Sequence, residues 1–167
     1  MRSLNFTVRL HPVWRMSYVY ADLRTILNDR LDRFTKARAL AEALRNARGY
    51  HWVGLYDVTA TEIRAIAWTG AVAPAFPNFP RARGLNGAAV SSGQPLIVQD
   101  VARDPRWLTT FGTTKGEAIF PVMVHGTIVG TIDVESDRVG AFTREDEDFL
   151  SGAAAVLQPL WATPDAV

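Results

Sequence analysis

The sequence predicts an α+β fold in which a central antiparallel sheet carries the N-terminal and C-terminal helices on one face. Near both ends of the chain, apolar residues recur at the three- and four-residue steps of a helix. Between them lie two pairs of β-rich segments, each pair joined by a short turn as in a hairpin. The 167 residues, 48% of them hydrophobic, suffice for one core. We therefore expect a single domain over 17–167 after an aperiodic N-terminal arm, 1–16.

The first helical segment, 17–48, contains neither glycine nor proline. It predicts one long helix, or two helices joined near Asn28–Asp29. Gly49 ends it, as glycine often does just after a helix C-terminus. The apolar residues that carry the helical period are Leu23, Ile26, Leu27, Leu31, Phe34, Ala37, Ala41 and Leu44.

Two hairpins form the predicted sheet. Segments 51–58 and 61–68 make the first, and 117–125 and 127–135 make the second, which turns at Gly126. Between the hairpins we expect a loop at 70–84 with three prolines, a short helix at 86–92, a strand at 95–99 and a long loop at 100–116. This order suits an antiparallel sheet with helices at both ends of the chain.

A capping pattern marks the last helix. The hydroxyl of Thr143 can accept a hydrogen bond from the first turn, while Asp146 reaches back to the chain before the helix. We expect the helix to run to about Gln158, where Pro159 weakens it.

The composition excludes several classes of function. The chain has no cysteine, which excludes disulfides, thiolate metal sites and thiol catalysis. The formal net charge of +1 gives no field that attracts nucleic acid, and no apolar run approaches the roughly 20 residues of a membrane span. Common nucleotide-binding, hydrolase and metalloprotease motifs are absent. We expect no metal, cofactor, nucleic-acid or membrane partner, and a cytoplasmic location.

An acidic cluster is expected on the sheet face away from the helices. Alternation along 127–135 separates Ile128, Ile132 and Val134 from Val129, Thr131, Asp133 and Glu135. Glu117 joins the two carboxylates from the paired strand. Three neighbouring carboxylates repel one another unless a cation lies between them, and the simplest such guest is the ammonium of a free amino acid. The alternative is a set of solvated carboxylates on an open sheet face.

Five stretches resemble the GAF domain family, and within it the free methionine-(R)-sulfoxide reductases. They are WVGLY at 52–56, GLNG at 84–87, EAIFPV at 117–122, GTIDVES at 130–136 and FTREDE at 142–147. The resemblance covers about Tyr20 to Leu160 and implies a GAF/PAS-like sheet with a ligand pocket on the face opposite the helices. It also implies that Trp52 and Tyr56 wall this pocket and that the acidic trio lines it. Taken alone, each of these aromatics is more often an ordinary core residue, and only the neighbouring acidic trio favours the pocket.

The resemblance does not extend to catalysis. By spacing, the reductases' three redox cysteines would fall near Phe76, at Asn86 and near Thr110, and none is cysteine here. Sulfoxide reduction by a thiol passes through a sulfenic acid and a disulfide, which a hydroxyl cannot form. The sequence thus predicts no catalytic residue. The predicted ligand-binding residues are Trp52, Tyr56, Asn86, Thr110, Glu117, Asp133 and Glu135.

Two further features border the predicted pocket. Arg81 and Arg83 precede the short helix, whose N-terminal amides could hold a carboxylate or phosphate; the alternative is a pair of solvated loop arginines. The long loop carries three apolar side chains that either close over the pocket or fix the loop to the core. They are Trp107, Leu108 and Phe111.

Three functions remain open from the sequence. The first is a non-catalytic GAF domain that binds a small molecule, such as a free amino acid or a methionine-sulfoxide-like ligand, in a sensory or regulatory role. The second is a reductase-like enzyme, and the third is a structural dimerisation domain. We also expect a homodimer, because the terminal helices carry more apolar residues than one sheet face obviously covers: Leu23, Leu27, Leu31, Phe34, Phe149, Leu150, Val156, Leu157 and Trp161.

Overall fold

The computed structural model describes residues 12–109 and 112–162. The helices are α1 (Pro12–Asn28), α2 (Arg33–Arg48), α3 (Gly84–Ser92), α4 (Arg144–Val156) and α5 (Pro159–Ala162), with a 3-10 turn at Val101–Arg103. The strands are β1 (Trp52–Val58), β2 (Glu62–Thr69), β3 (Asn78–Pro80), β4 (Leu96–Val98), β5 (Gly116–Val124) and β6 (Thr127–Ser136).

The N-terminal helical segment forms two helices and not one long helix, which is the second of the two alternatives that the sequence left open. Asp32 starts α2, because its Oδ1 accepts hydrogen bonds from the backbone N–H groups of Phe34 and Thr35, both at 3.0 Å. Gly49 ends it with a φ of +70°, a conformation that glycine adopts without strain. Helix α1 begins at Pro12 and not at residue 17, so 12–16 are helical and the expected arm is wrong there; proline suits the first turn of a helix. Residues 1–11 lie outside the described range.

All six strands belong to one antiparallel sheet in the order β3-β2-β1-β6-β5-β4. Both predicted hairpins are confirmed, as is the strand β4. The structure adds β3 inside the segment expected to be a loop, where Phe79 pairs with Ile63 of β2. An edge strand tolerates proline, because one row of its backbone groups needs no partner, and β3 is an edge strand.

Helices α2 and α4 cover one face of the sheet, as predicted, and α1 packs against both of these helices. Leu40 and Leu44 of α2 and Phe149 of α4 are fully buried against Leu55 and Ile132 of the central strands. The capping pair of α4 is confirmed, since Thr143 and Asp146 exchange side-chain and backbone hydrogen bonds. This arrangement leaves the other face of the sheet for α3 and the loops around it.

Strand β6 departs from strict alternation near its start. Its pairing with β5 skips Val129, which is therefore the extra residue of a β-bulge. The bulge turns Ile128 toward the α3 face and Val129 toward the helix-covered core. The alternation prediction is wrong for these two residues. It is confirmed for the rest of the strand: Thr131, Ile132, Asp133, Val134 and Glu135.

Much of the apolar surface behind the homodimer prediction lies inside the monomer. Leu23, Phe149, Leu150 and Leu157 are fully or almost fully buried within the chain's own core. Of the side chains that suggested a dimer, Leu31 and Phe34 stay exposed, at 42% and 65%. Within the described residues, no helix is both long enough and apolar enough to cross a membrane.

Candidate functional site

Three carboxylates share the face of the sheet that α1, α2 and α4 leave free. Glu117 of β5 pairs directly with Glu135 of β6, and Asp133 lies two residues along β6 on the same face. Side chains of alternate strand residues are about 7 Å apart along the strand. The three side chains are at most 5% exposed, so the site is buried and not an open sheet face. The structure therefore brings together the acidic trio that alternation predicts.

The two predicted wall aromatics stand on β1 beside this trio. Trp52 pairs with Glu135, and Gly54, between the two aromatics, pairs with Asp133. A Cβ on Gly54 would overlap the Trp52 ring and come within 2.9 Å of Tyr56 Cε2, so only glycine leaves room for both rings across the strand. The indole N–H of Trp52 donates to the carbonyl of Val72 at 3.1 Å, which fixes the ring plane.

Helix α3 places Asn86 against the acidic trio. Its Nδ2 donates to Asp133 Oδ2 at 2.8 Å, and its Oδ1 accepts from the hydroxyl of Thr131 at 2.7 Å. Gly87 lets the preceding loop pack directly against this helix, because a Cβ there would lie 2.4 Å from the carbonyl carbon of Ala82. Asn86 is thus held at both ends of its amide and is only 5% exposed.

Thr114 is a site residue that the sequence analysis missed. Its buried hydroxyl donates a short hydrogen bond to Glu135 Oε2. A threonine inside a long loop has no periodicity that could indicate such a contact. Thr110, which the sequence predicts as a ligand-binding residue, lies outside the described residues.

Burial dominates the electrostatics of the trio. It raises the pKa of Glu117 well above the ordinary value, and the nearby charges of Asp133 and Glu135 raise it further. Burial likewise raises the pKa of Asp133, with a further rise from Glu135, while the hydrogen bond from Asn86 opposes the change. These shifts favour the protonated, neutral forms of both carboxyl groups.

Two oxygens of the trio have no partner. Glu117 Oε2 and Asp133 Oδ1 are inaccessible to solvent and make no hydrogen bond with any described residue. Neither side chain forms an ion pair with a lysine, arginine or histidine in the described part of the chain. Unpartnered buried oxygens of this kind are uncommon in native folds and costly to maintain.

The long loop and the proline-containing loop close the site. Trp107 lies beside Glu117 and acts to lower its pKa, yet the indole N–H makes no hydrogen bond of good geometry with a described residue. Leu108 covers the first turn of α3, with Cδ1 2.9 Å from where a Cβ on Gly84 would stand. Trp107 and Leu108 therefore lie over the site, whereas Phe111 is outside the described residues.

The remaining cavity is small. It has a volume of about 20 Å³, roughly the space for one water molecule. A free amino acid does not fit unless covering side chains move aside. The residues that line the cavity are Tyr56, Phe76, Phe79, Gly84, Leu85, Asn86, Leu108, Glu117 and Asp133. Trp52 and Glu135, their neighbours on the sheet, do not line it in this closed form.

The family of the chain follows from a comparison with known proteins. The model of the GAF domain matches residues 32–158, which span most of the chain. The chain belongs to the GAF domain family. GAF domain-containing protein A of Dictyostelium discoideum is 32% identical over 110 residues, which are 65% of this chain and 68% of that protein.

Reductases are among the relatives of this GAF domain. The free methionine-R-sulfoxide reductase of Escherichia coli (strain K12) is 29% identical over 115 residues, covering 69% of this chain and 68% of that enzyme. The structure of the free methionine-R-sulfoxide reductase from Neisseria meningitidis, in complex with its substrate, superposes with a TM-score of 0.81. At 24% identity over 97% of this chain and 96% of that chain, it shows the shared fold. The chain of this GAF domain contains no cysteine.

Proposed function

We propose that this GAF domain binds a small free amino acid and does not reduce it by thiol chemistry. The ammonium of the ligand lies between Glu117, Asp133 and Glu135, and the rings of Trp52 and Tyr56 stand beside it. The observation that carries the proposal is the pair of buried carboxylate oxygens without partners, Glu117 Oε2 and Asp133 Oδ1.

An ammonium group matches this site because it brings three N–H donors and a positive charge. Each donor takes one carboxylate, and charge-assisted hydrogen bonds are about twice as strong as neutral ones. Aromatic faces nearby add to the attraction for a cation. Among the other residues that line the cavity, Phe79, Leu85 and Leu108 suit the apolar side chain of an amino acid such as methionine.

The relatives support methionine and its sulfoxides as the first ligands to test. Proteins named as free methionine-R-sulfoxide reductases share this fold, and one of them was solved in complex with its substrate. The alternative is that this chain shares their activity. We favour binding alone, because no cysteine is available to form the sulfenic acid, and because Asn86, at one of the expected cysteine positions, is held by two hydrogen bonds.

A thermal-shift screen of free amino acids, methionine and both sulfoxide epimers tests the proposal. A ligand at 100 times its Kd stabilises the fold by about 2.7 kcal/mol, which raises the Tm by about 5–10 °C in a domain of this size. Asp133→Asn and Glu135→Gln should each weaken binding by about 1.5–3 kcal/mol, whereas the exposed Glu42→Gln should leave it unchanged. Equal affinity in all four proteins contradicts the proposed site.

The same preparation separates binding from catalysis. With a thiol reductant present, free methionine sulfoxide should be consumed no faster than in a control without protein. Turnover that persists through a second purification would favour the enzyme and overturn the proposal of binding alone.

A domain that binds its ligand without converting it can act on other proteins only through whether the ligand is bound. On that basis we propose a sensory or regulatory role. The homodimer stays a prediction, with Leu31 and Phe34 as the exposed apolar side chains that a second copy would cover. Light scattering at tens of micromolar protein tests it, and a monomer mass contradicts it.

A further inference from the structure

We infer that the first turn of α3, together with Arg83, binds the carboxylate of the ligand, so that the site selects α-amino acids over simple amines. The inference rests on the proposed function, because it assigns the second charged group of the same ligand. It also gives a role to an arginine that makes no ion pair or hydrogen bond through its side chain with the described residues.

The first turn of α3 has backbone donors next to the cavity that no described residue satisfies. No side chain caps the turn, and its first backbone hydrogen bond runs from Gly87 N–H to the Arg83 carbonyl at 3.1 Å. The N–H groups of Gly84, Leu85 and Asn86 therefore precede the helical ladder. All three residues line the cavity. A helix N-terminus with such donors and the positive end of the helix dipole favours an anion.

The acidic trio indicates that a ligand belongs in this cavity and fixes its orientation. Glu117 and Asp133 are at least 95% buried, each has an oxygen without a partner among the described residues, and both line the cavity together with the first turn of α3. A ligand carboxylate does not lie at the trio once the ammonium is there, because the ammonium favours the ionised forms of the three carboxyl groups and like charges at close range repel. When the ammonium lies at the trio, the carboxylate therefore takes the donors that the rest of the lining offers, the backbone amides in the first turn of α3.

The Phe76 ring lies between Arg83 and that position. Its guanidinium carbon lies 5.9 Å from the centre of the Phe76 ring, and Phe76 lines the cavity. Arg81, in contrast, already donates to the Thr59 carbonyl at 2.8 Å. An entering ligand displaces Phe76, and the planar guanidinium then meets the carboxylate, for which its paired N–H donors have the right geometry.

The experiment uses two matched ligand pairs that differ by the carboxylate. L-Methionine is compared with 3-(methylsulfanyl)propan-1-amine, and L-leucine with 3-methylbutan-1-amine, by calorimetric titration into the wild-type chain, Arg83→Ala, Arg83→Lys and a control, Arg144→Ala. Arg144 is an exposed residue of α4, on the far side of the sheet. Arg83→Ala should weaken amino-acid binding about tenfold or more and leave amine binding unchanged. Arg83→Lys should recover part of the loss.

The outcomes separate this inference from the proposed function. If the wild-type chain binds amine and amino acid equally well, or if Arg83→Ala weakens both ligands alike, the carboxylate subsite is wrong while the ammonium site stands. If neither member of either pair binds, the proposed function fails and the subsite with it. Amino acids that bind more tightly than their amines, with a difference that Arg83→Ala removes and Arg144→Ala does not, support the inference.

Discussion

Replacing Glu117 with glutamine should stabilise the unliganded domain, and increasingly so as the pH rises. Burial and the charges of Asp133 and Glu135 hold the pKa of Glu117 well above the ordinary value of 4.5. Between these two pKa values the unfolded chain has lost the proton while the folded chain keeps it. The free energy of unfolding therefore falls by about 1.4 kcal/mol for each pH unit in this window, and it stops falling above the raised pKa.

Glutamine cannot ionise, so the Glu117→Gln variant lacks this part of the pH dependence. The Tm difference between variant and wild type should grow by about 3–6 °C per pH unit above pH 5. Asp133 adds a dependence of its own to both proteins, since its raised pKa arises from burial and from Glu135. Differential scanning calorimetry from pH 5 to 8 measures the effect, with the exposed Glu42→Gln as control. A Tm difference that stays constant with pH refutes the reasoning.

Two more predictions concern the same site. Amino-acid binding should release protons, because an ammonium stabilises the ionised forms of Glu117 and Asp133. Calorimetric titrations at pH 6.5 in phosphate and in Tris should therefore give different binding enthalpies, since the two buffers take up the released protons with different heats. Equal binding enthalpies contradict the link between binding and proton release. Gly54→Ala should destabilise the fold by about 1–3 kcal/mol in urea unfolding and abolish the ligand-induced Tm shift, because the added Cβ overlaps the Trp52 ring. Gly112→Ala, whose Cβ has open space, is the control, and equal effects of both substitutions would show that Trp52 has no special role.

The parts of the fold that the sequence predicts are those that local chemistry determines. Gly49 ends α2 and Thr143 starts α4, both as the sequence predicts, because glycine adopts the left-handed conformation at a helix end and a threonine hydroxyl accepts a hydrogen bond from the first turn. The two hairpins follow from alternation and short turns. Alternation also places Asp133 and Glu135 on the face away from the helices, and the hairpin brings Glu117 opposite Glu135.

The parts that the sequence does not predict depend on contacts between distant segments. The bulge at Val129 inserts one residue without any sequence signature, and it exchanges the faces of Ile128 and Val129. Strand β3 forms although Pro77 precedes it and Pro80 is its last residue, because β2 offers an edge with which it can pair. The hydrogen bond from Thr114 to Glu135 exists only once the long loop has folded back over the sheet.

Closure of the cavity and protonation of the trio are linked. In the closed form the space of about 20 Å³ admits no solvent shell around Glu117 and Asp133, and the neutral carboxyl groups are favoured. Movement of Phe76 and Leu108 away from the site hydrates these groups and favours their ionisation. An ammonium that enters the open form replaces the lost hydration with charge-assisted hydrogen bonds, so the loops can close again without protonating the trio. Opening, deprotonation and binding therefore favour one another, and ligand affinity should rise with pH across the window in which the empty site gives up its protons.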